Sequence, residues 1–109
     1  MKTINAQDTF QLIQNENITL IDVREEDETA QAYIDSAQFA PLSNLVATIA
    51  DIQIPKDQKV IIYCLKGGRS ANAIEFLSEN ILRDHDVYNM EGGISDWAAQ
   101  DLPLITPNT

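Results

Sequence analysis

The chain has one cysteine, one histidine, four glycines and four prolines among its 109 residues, and only seven lysines and arginines. A lone cysteine cannot close a disulfide within the chain, and the opening residues MKTINAQDTF lack the apolar run of a signal peptide, so a reducing, cytoplasmic setting is expected. One cysteine and one histidine are too few for a zinc-type ligand set, and His85, in the polar turn RDHD, reads as a solvated surface residue. No metal site is expected. No stretch approaches the roughly 18 consecutive apolar residues of a membrane span. The scarcity of basic residues, set against seventeen acidic ones, leaves a formal charge of −10, which repels nucleic acid and anionic membranes. Any site for an anion therefore has to be built locally, from backbone N–H groups and a few cations.

What the chain does contain is ordinary for a globular unit: 44% hydrophobic and 22% charged residues, without repeats or low-complexity tracts. Its length suits one domain, expected over residues 1–105, with a short C-terminal tail over 106–109. Asn5 is placed to cap a helix that starts at Ala6 and turns Phe10 and Ile13 to one side. The run ITLIDV, Ile18 to Val23, is apolar and β-branched without polar alternation, the pattern of a strand covered on both faces. An acidic surface helix is expected over Glu25 to Ala32, then a short strand from Ala37 to Ala40 stopped by Pro41. Ser43 precedes Leu45, Val46, Ile49 and Ala50 at helical spacing, which predicts a third helix.

The strongest strand signal is KVIIYC, Lys59 to Cys64. It runs into a glycine-containing loop and then a helical pattern of Ala73, Ile74, Phe76 and Leu77. A further strand over Val87 to Asn89 leads through Gly92 and Gly93 to a last helix with Ile94, Trp97 and Ala98, closed by Pro103. Strands alternating with helices predict an α/β fold with a parallel sheet and helices on both faces. Ligands in such sheets bind beyond the carboxyl ends of strands, where Cys64 falls.

The segment Cys64-Leu65-Lys66-Gly67-Gly68-Arg69-Ser70 carries the chemistry. Successive N–H groups curling about one point, with the start of the helix after Arg69, make a positive cradle for a thiolate. Gly67 and Gly68 permit positive φ angles and a close backbone approach, and Lys66 and Arg69 add charge. These features predict a Cys64 pKa below the free value of about 8.5, hence a nucleophile rather than a plain core cysteine.

Three segments in order resemble the single-domain rhodanese sulfurtransferases: LIDVRE at Leu20 to Glu25, CLKGGRS at Cys64 to Ser70, and NMEGGISDW at Asn89 to Trp97. The resemblance implies a rhodanese-like, five-stranded parallel sheet and a catalytic Cys64 within a substrate-binding loop of Leu65, Lys66, Gly67, Gly68 and Arg69. It implies that Cys64 takes sulfur from thiosulfate or a related persulfide donor and passes it to an external thiol, cyanide or a protein acceptor, with no organic cofactor or metal expected. With no second cysteine, the persulfide has no partner in the chain to form a disulfide. Lys66 and Arg69 are candidates for holding an anionic donor, and Asp22, Arg24 and Ser70 for a supporting role. A monomer is expected.

Two departures from the family pattern stand out. Tyr33 occupies the place of the usual histidine in Ala32-Tyr33-Ile34-Asp35-Ser36-Ala37, which predicts altered packing there, and Thr29 stands where an aromatic is usual. Trp97 is expected in the core. A cysteine phosphatase or arsenate reductase is a weaker reading, because such enzymes separate cysteine and arginine by five residues and four lie between Cys64 and Arg69 here. The third reading is a noncatalytic binding module on the same fold.

Overall fold

The β-branched runs pair as their composition requires. In a computed structural model that describes residues 1–107, five parallel strands lie in the order β1-β5-β4-β2-β3. They are β1 (Lys2–Ile4), β2 (Ile18–Asp22), β3 (Gln38–Phe39), β4 (Lys59–Tyr63) and β5 (Asp86–Met90). The helices between them are α1 (Ala6–Asn15), α2 (Glu26–Thr29), α3 (Leu45–Asp51), α4 (Gly68–Leu77) and α5 (Gly93–Ala99).

The central strand shows how the sheet partitions the core. Successive side chains of a strand face opposite sides. Val60, Ile62 and Cys64 therefore join a cluster completed by Leu45 and Ile49 of α3 and by Ala73, Ile74 and Leu77 of α4. Ile61 and Tyr63 point the other way, toward Ala6 of α1 and Ile94 and Trp97 of α5. Both faces are covered, so the strands carry no polar alternation. Trp97 lies in the core as expected, edge-on to Phe10 at 5.8 Å between ring centroids, with its indole N–H donating to the Pro103 carbonyl at 2.8 Å.

Asn5 caps α1, accepting from the Asp8 N–H at 2.8 Å, an interaction typically worth about 1 kcal/mol. Elsewhere the sequence expectations need correction. Strand β1 was not expected; it spans three residues, too few for a pattern. Helix α2 is shorter than Glu25 to Ala32, because Glu25 and Glu28 form a reciprocal capping box around a single turn. Ser43 does not cap α3. It lies in a 3₁₀ turn, Leu42–Asn44, and its hydroxyl donates to the Glu25 carboxylate at 2.6 Å. Val46 and Phe76 face outward, 50% and 52% exposed, although their spacing suggested the inner face. His85 is half-buried rather than fully at the surface, and its buried Nδ1 has no hydrogen-bond partner among the described residues.

Of the expected tail, residues 108 and 109 lie outside the described ones. Just before it, Ile105 makes an antiparallel bridge with Tyr33, with N–H to carbonyl distances of 3.0 and 2.8 Å. No helix among the described residues is long and apolar enough to cross a membrane.

Candidate active site

Strand β4 delivers Cys64 to the carboxyl edge of the sheet, flanked by β5 and β2, and the chain must then turn sharply to enter α4. Gly67 makes that turn at φ +108°, a conformation other residues avoid, and sits at the N-cap of α4. The turn aims backbone N–H groups at the sulfur: that of Gly67 lies 3.1 Å from Sγ, and the Ser70 hydroxyl lies 3.4 Å from it. Burial, the largest single influence, pushes the Cys64 thiol up. Hydrogen bonds from the Ser70 hydroxyl and from the N–H groups of Ser70, Gly67 and Lys66 outweigh it, and the net shift is downward. Cys64 itself is 1% exposed.

Gly68 departs from expectation. It is the first residue of α4 and is absent from the positive-φ glycines, and a Cβ there would meet nothing within 4 Å. Besides Gly67, the glycine that the loop cannot spare lies on another element. The N–H groups of Ile94 and Ser95, at the start of α5, donate to the carbonyls of Cys64 and Leu65, each at 3.0 Å. That bond pair fixes the two carbonyls and requires near contact between the two backbone segments. A Cβ on Gly93 would lie 2.5 Å from the Cys64 oxygen and 2.4 Å from that of Leu65. The Gly92-Gly93 pair therefore clamps the cysteine loop from behind.

Arg69 is already paired. Its guanidinium forks onto Glu28 of α2, with Nη1 and Nη2 donating at 2.7 and 2.8 Å. Glu28 also accepts from the Glu25 N–H at 3.1 Å, so the same carboxylate caps α2 and anchors the cysteine loop. The Arg69 hydrogen bonds hold the Glu28 carboxyl down to about 2 and push the arginine further up. Because the folded carboxyl titrates below an unfolded glutamate at about 4.3, the pair stabilises fully above that value and fades as the pH falls through about 2. A Glu28→Gln variant is expected to melt lower than the native protein at pH 6, by no more than about 1 kcal/mol given the partial exposure of both groups. The difference should vanish near pH 2, and thermal unfolding across that range checks it. Lys66, by contrast, is exposed at the rim of the loop.

Asp22 and Arg24 brace a neighbouring segment. The fully buried Asp22 carboxylate accepts from the Arg24 backbone N–H at 2.9 Å and from Nη2 at 2.9 Å. Arg24 Nη2 donates in turn to the Ala32 carbonyl at 2.6 Å, and the Tyr63 hydroxyl accepts from the Ile34 N–H at 3.2 Å. The pair thus holds residues 32–34 against the strand ends, and the buried carboxylate keeps a charged partner. At the departure noted above, Tyr33 packs edge-on to Phe39, centroids 5.0 Å apart. With Arg24, Thr29 and Pro41 these rings line a cavity of about 410 Å³ that includes no residue of the cysteine loop.

The sequence reading missed three partners of the loop. Glu28 is 41 residues from Arg69, the α5 N–H groups belong to backbone, and Asn89 was read only as the end of a strand and the start of a motif. Its side chain donates to the Gly67 carbonyl at 3.1 Å and accepts from the Ser70 hydroxyl at 2.5 Å.

A strand-end cysteine in an amide cradle on this topology invites comparison with known proteins. The model of the rhodanese-like domain matches residues 5–100. This chain belongs to the rhodanese family. A protein named sulfurtransferase from Allochromatium vinosum is 35% identical over 96 residues, 88% of this chain and 86% of the relative. The thiosulfate sulfurtransferase GlpE of Pseudoalteromonas translucida is 33% identical over 100 residues, 90% of each chain. The crystal structure of a rhodanese-related protein from Thermoplasma volcanium superposes with a TM-score of 0.83 at 31% identity, covering 96% of this chain and 98% of that one. The parallel five-stranded rhodanese fold expected from the sequence is the fold observed.

Proposed function

We propose that this rhodanese-family protein is a sulfurtransferase that carries sulfane sulfur on Cys64 as a persulfide. The observation that carries the reading is the cradle itself: a buried sulfur at the end of β4, with the Gly67 N–H at 3.1 Å and the thiol pKa held below its ordinary value. The thiolate attacks the outer sulfur of thiosulfate or a related donor. A new S–S bond forms at Sγ, the donor's S–S bond breaks, and its electron pair leaves on sulfite. A thiolate or cyanide then attacks the outer sulfur, and Cys64 departs as the thiolate. The single cysteine makes both steps intermolecular, which predicts ping-pong kinetics.

Arg69, already forked onto Glu28, acts as a brace in this scheme, and Lys66 is the loop cation left to attract an anionic donor. The same pairing disfavours a phosphatase, in which the loop arginine must be free to hold a tetrahedral oxyanion. The reading is tested by the intact mass of the reduced protein after exposure to thiosulfate and, separately, to a polysulfide. Addition of one sulfur, removed by an external thiol, is expected. A folded protein that gains no sulfur from either donor would leave the noncatalytic binding module as the better account.

A further inference from the structure

Ser70 has one hydroxyl proton and three acceptors that compete for it. Its Oγ lies 2.5 Å from Asn89 Oδ1, 3.2 Å from the Gly67 carbonyl, which already accepts from the Ala71 N–H, and 3.4 Å from Cys64 Sγ. The orientation of the Asn89 amide is not free, because its other arm faces the Gly67 carbonyl at 3.1 Å, and only the NH₂ end can donate there. Oδ1 is thereby turned to Ser70 as a pure acceptor. When the hydroxyl donates to Asn89, its lone pairs face the sulfur and suit a protonated thiol. When it donates to Sγ, it suits the thiolate and leaves Oδ1 unpaired. Both side chains are buried, Ser70 fully and Asn89 with 7% exposure, so bulk water does not readily relieve the competition.

We propose that Asn89 is a positioning residue that competes with Cys64 for the Ser70 proton and so sets how readily the thiolate forms. The inference rests on the persulfide reading for its meaning but not for its test. When an outer sulfur is attached, the negative charge moves one bond beyond Sγ, and the Ser70 proton returns to Asn89. Asn89 thus costs the free thiolate a hydrogen bond and accepts that bond once the sulfur is loaded. Its amide also fixes the Gly67 carbonyl, and this second effect has the opposite sign, since loosening Gly67 weakens its N–H bond to the sulfur.

The two effects separate in a double-mutant cycle of Asn89→Leu and Ser70→Ala, read as the pH dependence of Cys64 alkylation by iodoacetamide. This readout needs no sulfur transfer, so failure of the persulfide reading leaves it intact. The charged groups on the surrounding elements are unchanged in every variant: Lys66 on the loop, Arg69 at the start of α4, Glu28 on α2, the Asp22–Arg24 pair at the end of β2, and Asp96 on α5. In the Ser70→Ala background, Asn89→Leu acts only through Gly67. With Ser70 present, the same substitution also removes the nearest acceptor of the hydroxyl proton and leaves Sγ to compete with the Gly67 carbonyl alone, so the alkylation midpoint should lie lower, relative to that background effect, by about half a pH unit or more. Equal shifts in both backgrounds, or a shift of opposite sign, would overturn the proposal and leave Asn89 a purely structural brace. If the leucine variant does not fold, Asn89→Val, favoured in a strand, completes the same cycle with the same two outcomes.

Discussion

A Cys64→Ser variant is expected to gain no sulfur from thiosulfate or polysulfide while keeping the circular dichroism and melting behaviour of the native fold. The side chain it replaces is 1% exposed, and the hydroxyl is slightly smaller than the thiol, so the core cluster loses little contact. The Gly67 N–H that lies 3.1 Å from the sulfur finds an oxygen acceptor in its place. What disappears is the low-pKa nucleophile, since a serine hydroxyl does not ionise near neutral pH and the site holds no histidine to activate it. Loading should fall to the background of the assay, a change of several orders of magnitude. Sulfur addition retained in the serine variant would locate the chemistry elsewhere and remove the basis for assigning Cys64.

The second large effect is expected at a residue that never meets the substrate. Gly93→Ala places a Cβ about 1 Å inside normal contact distance of two carbonyl oxygens, at a φ of +58° that alanine rarely adopts. Neither carbonyl can yield, because Ile94 and Ser95 hold them in place, so either α5 withdraws or the cysteine loop shifts. A displacement of about 1 Å at the cradle lowers the loading rate by on the order of 10²-fold. The thiol pKa should rise with it, as the N–H groups lose their aim. Gly68→Ala is the control: it adds a methyl group to open space at the first position of α4, where alanine is the better helix former. Loading at the native rate in the Gly93 variant, or a matching loss in the Gly68 variant, would contradict the assignment of the clamp to α5. Stopped reactions followed by mass, with folding checked in parallel, distinguish these outcomes.

The contrast between these glycines shows what the amino-acid order reveals unaided. Lys59 to Cys64 was legible as a buried strand because five of its six residues are apolar or aromatic and both faces of β4 are covered. The position of Cys64 followed from the topology, since strand, tight loop and helix place the strand end at the ligand edge of a parallel sheet. The identity of the required glycine did not follow. Gly67 and Gly68 look alike in the sequence, and only the backbone separates the one at the turn from the one inside α4. Arg69 illustrates the second kind of loss. A cation beside a nucleophile suggests an anion site, and nothing local discloses that Glu28 already occupies its fork. The edge strand β1 was hidden for a third reason, its pairing to Met90 and its neighbours being a property of β5 as much as of residues 2–4.

The depth of Cys64 bears on what can collect the sulfur. Sγ is held beneath the surface by the Gly67 N–H and the Ser70 hydroxyl, and in the proposed persulfide an S–S bond of about 2.05 Å would set the transferable atom that far from it. On the proposed function the loop would therefore shelter the linkage and carry its cargo one bond beyond it. An acceptor would have to bring a narrow attacking atom to a sulfur rooted below the surface, so reach and cross-section would select among acceptors before charge or affinity comes into play.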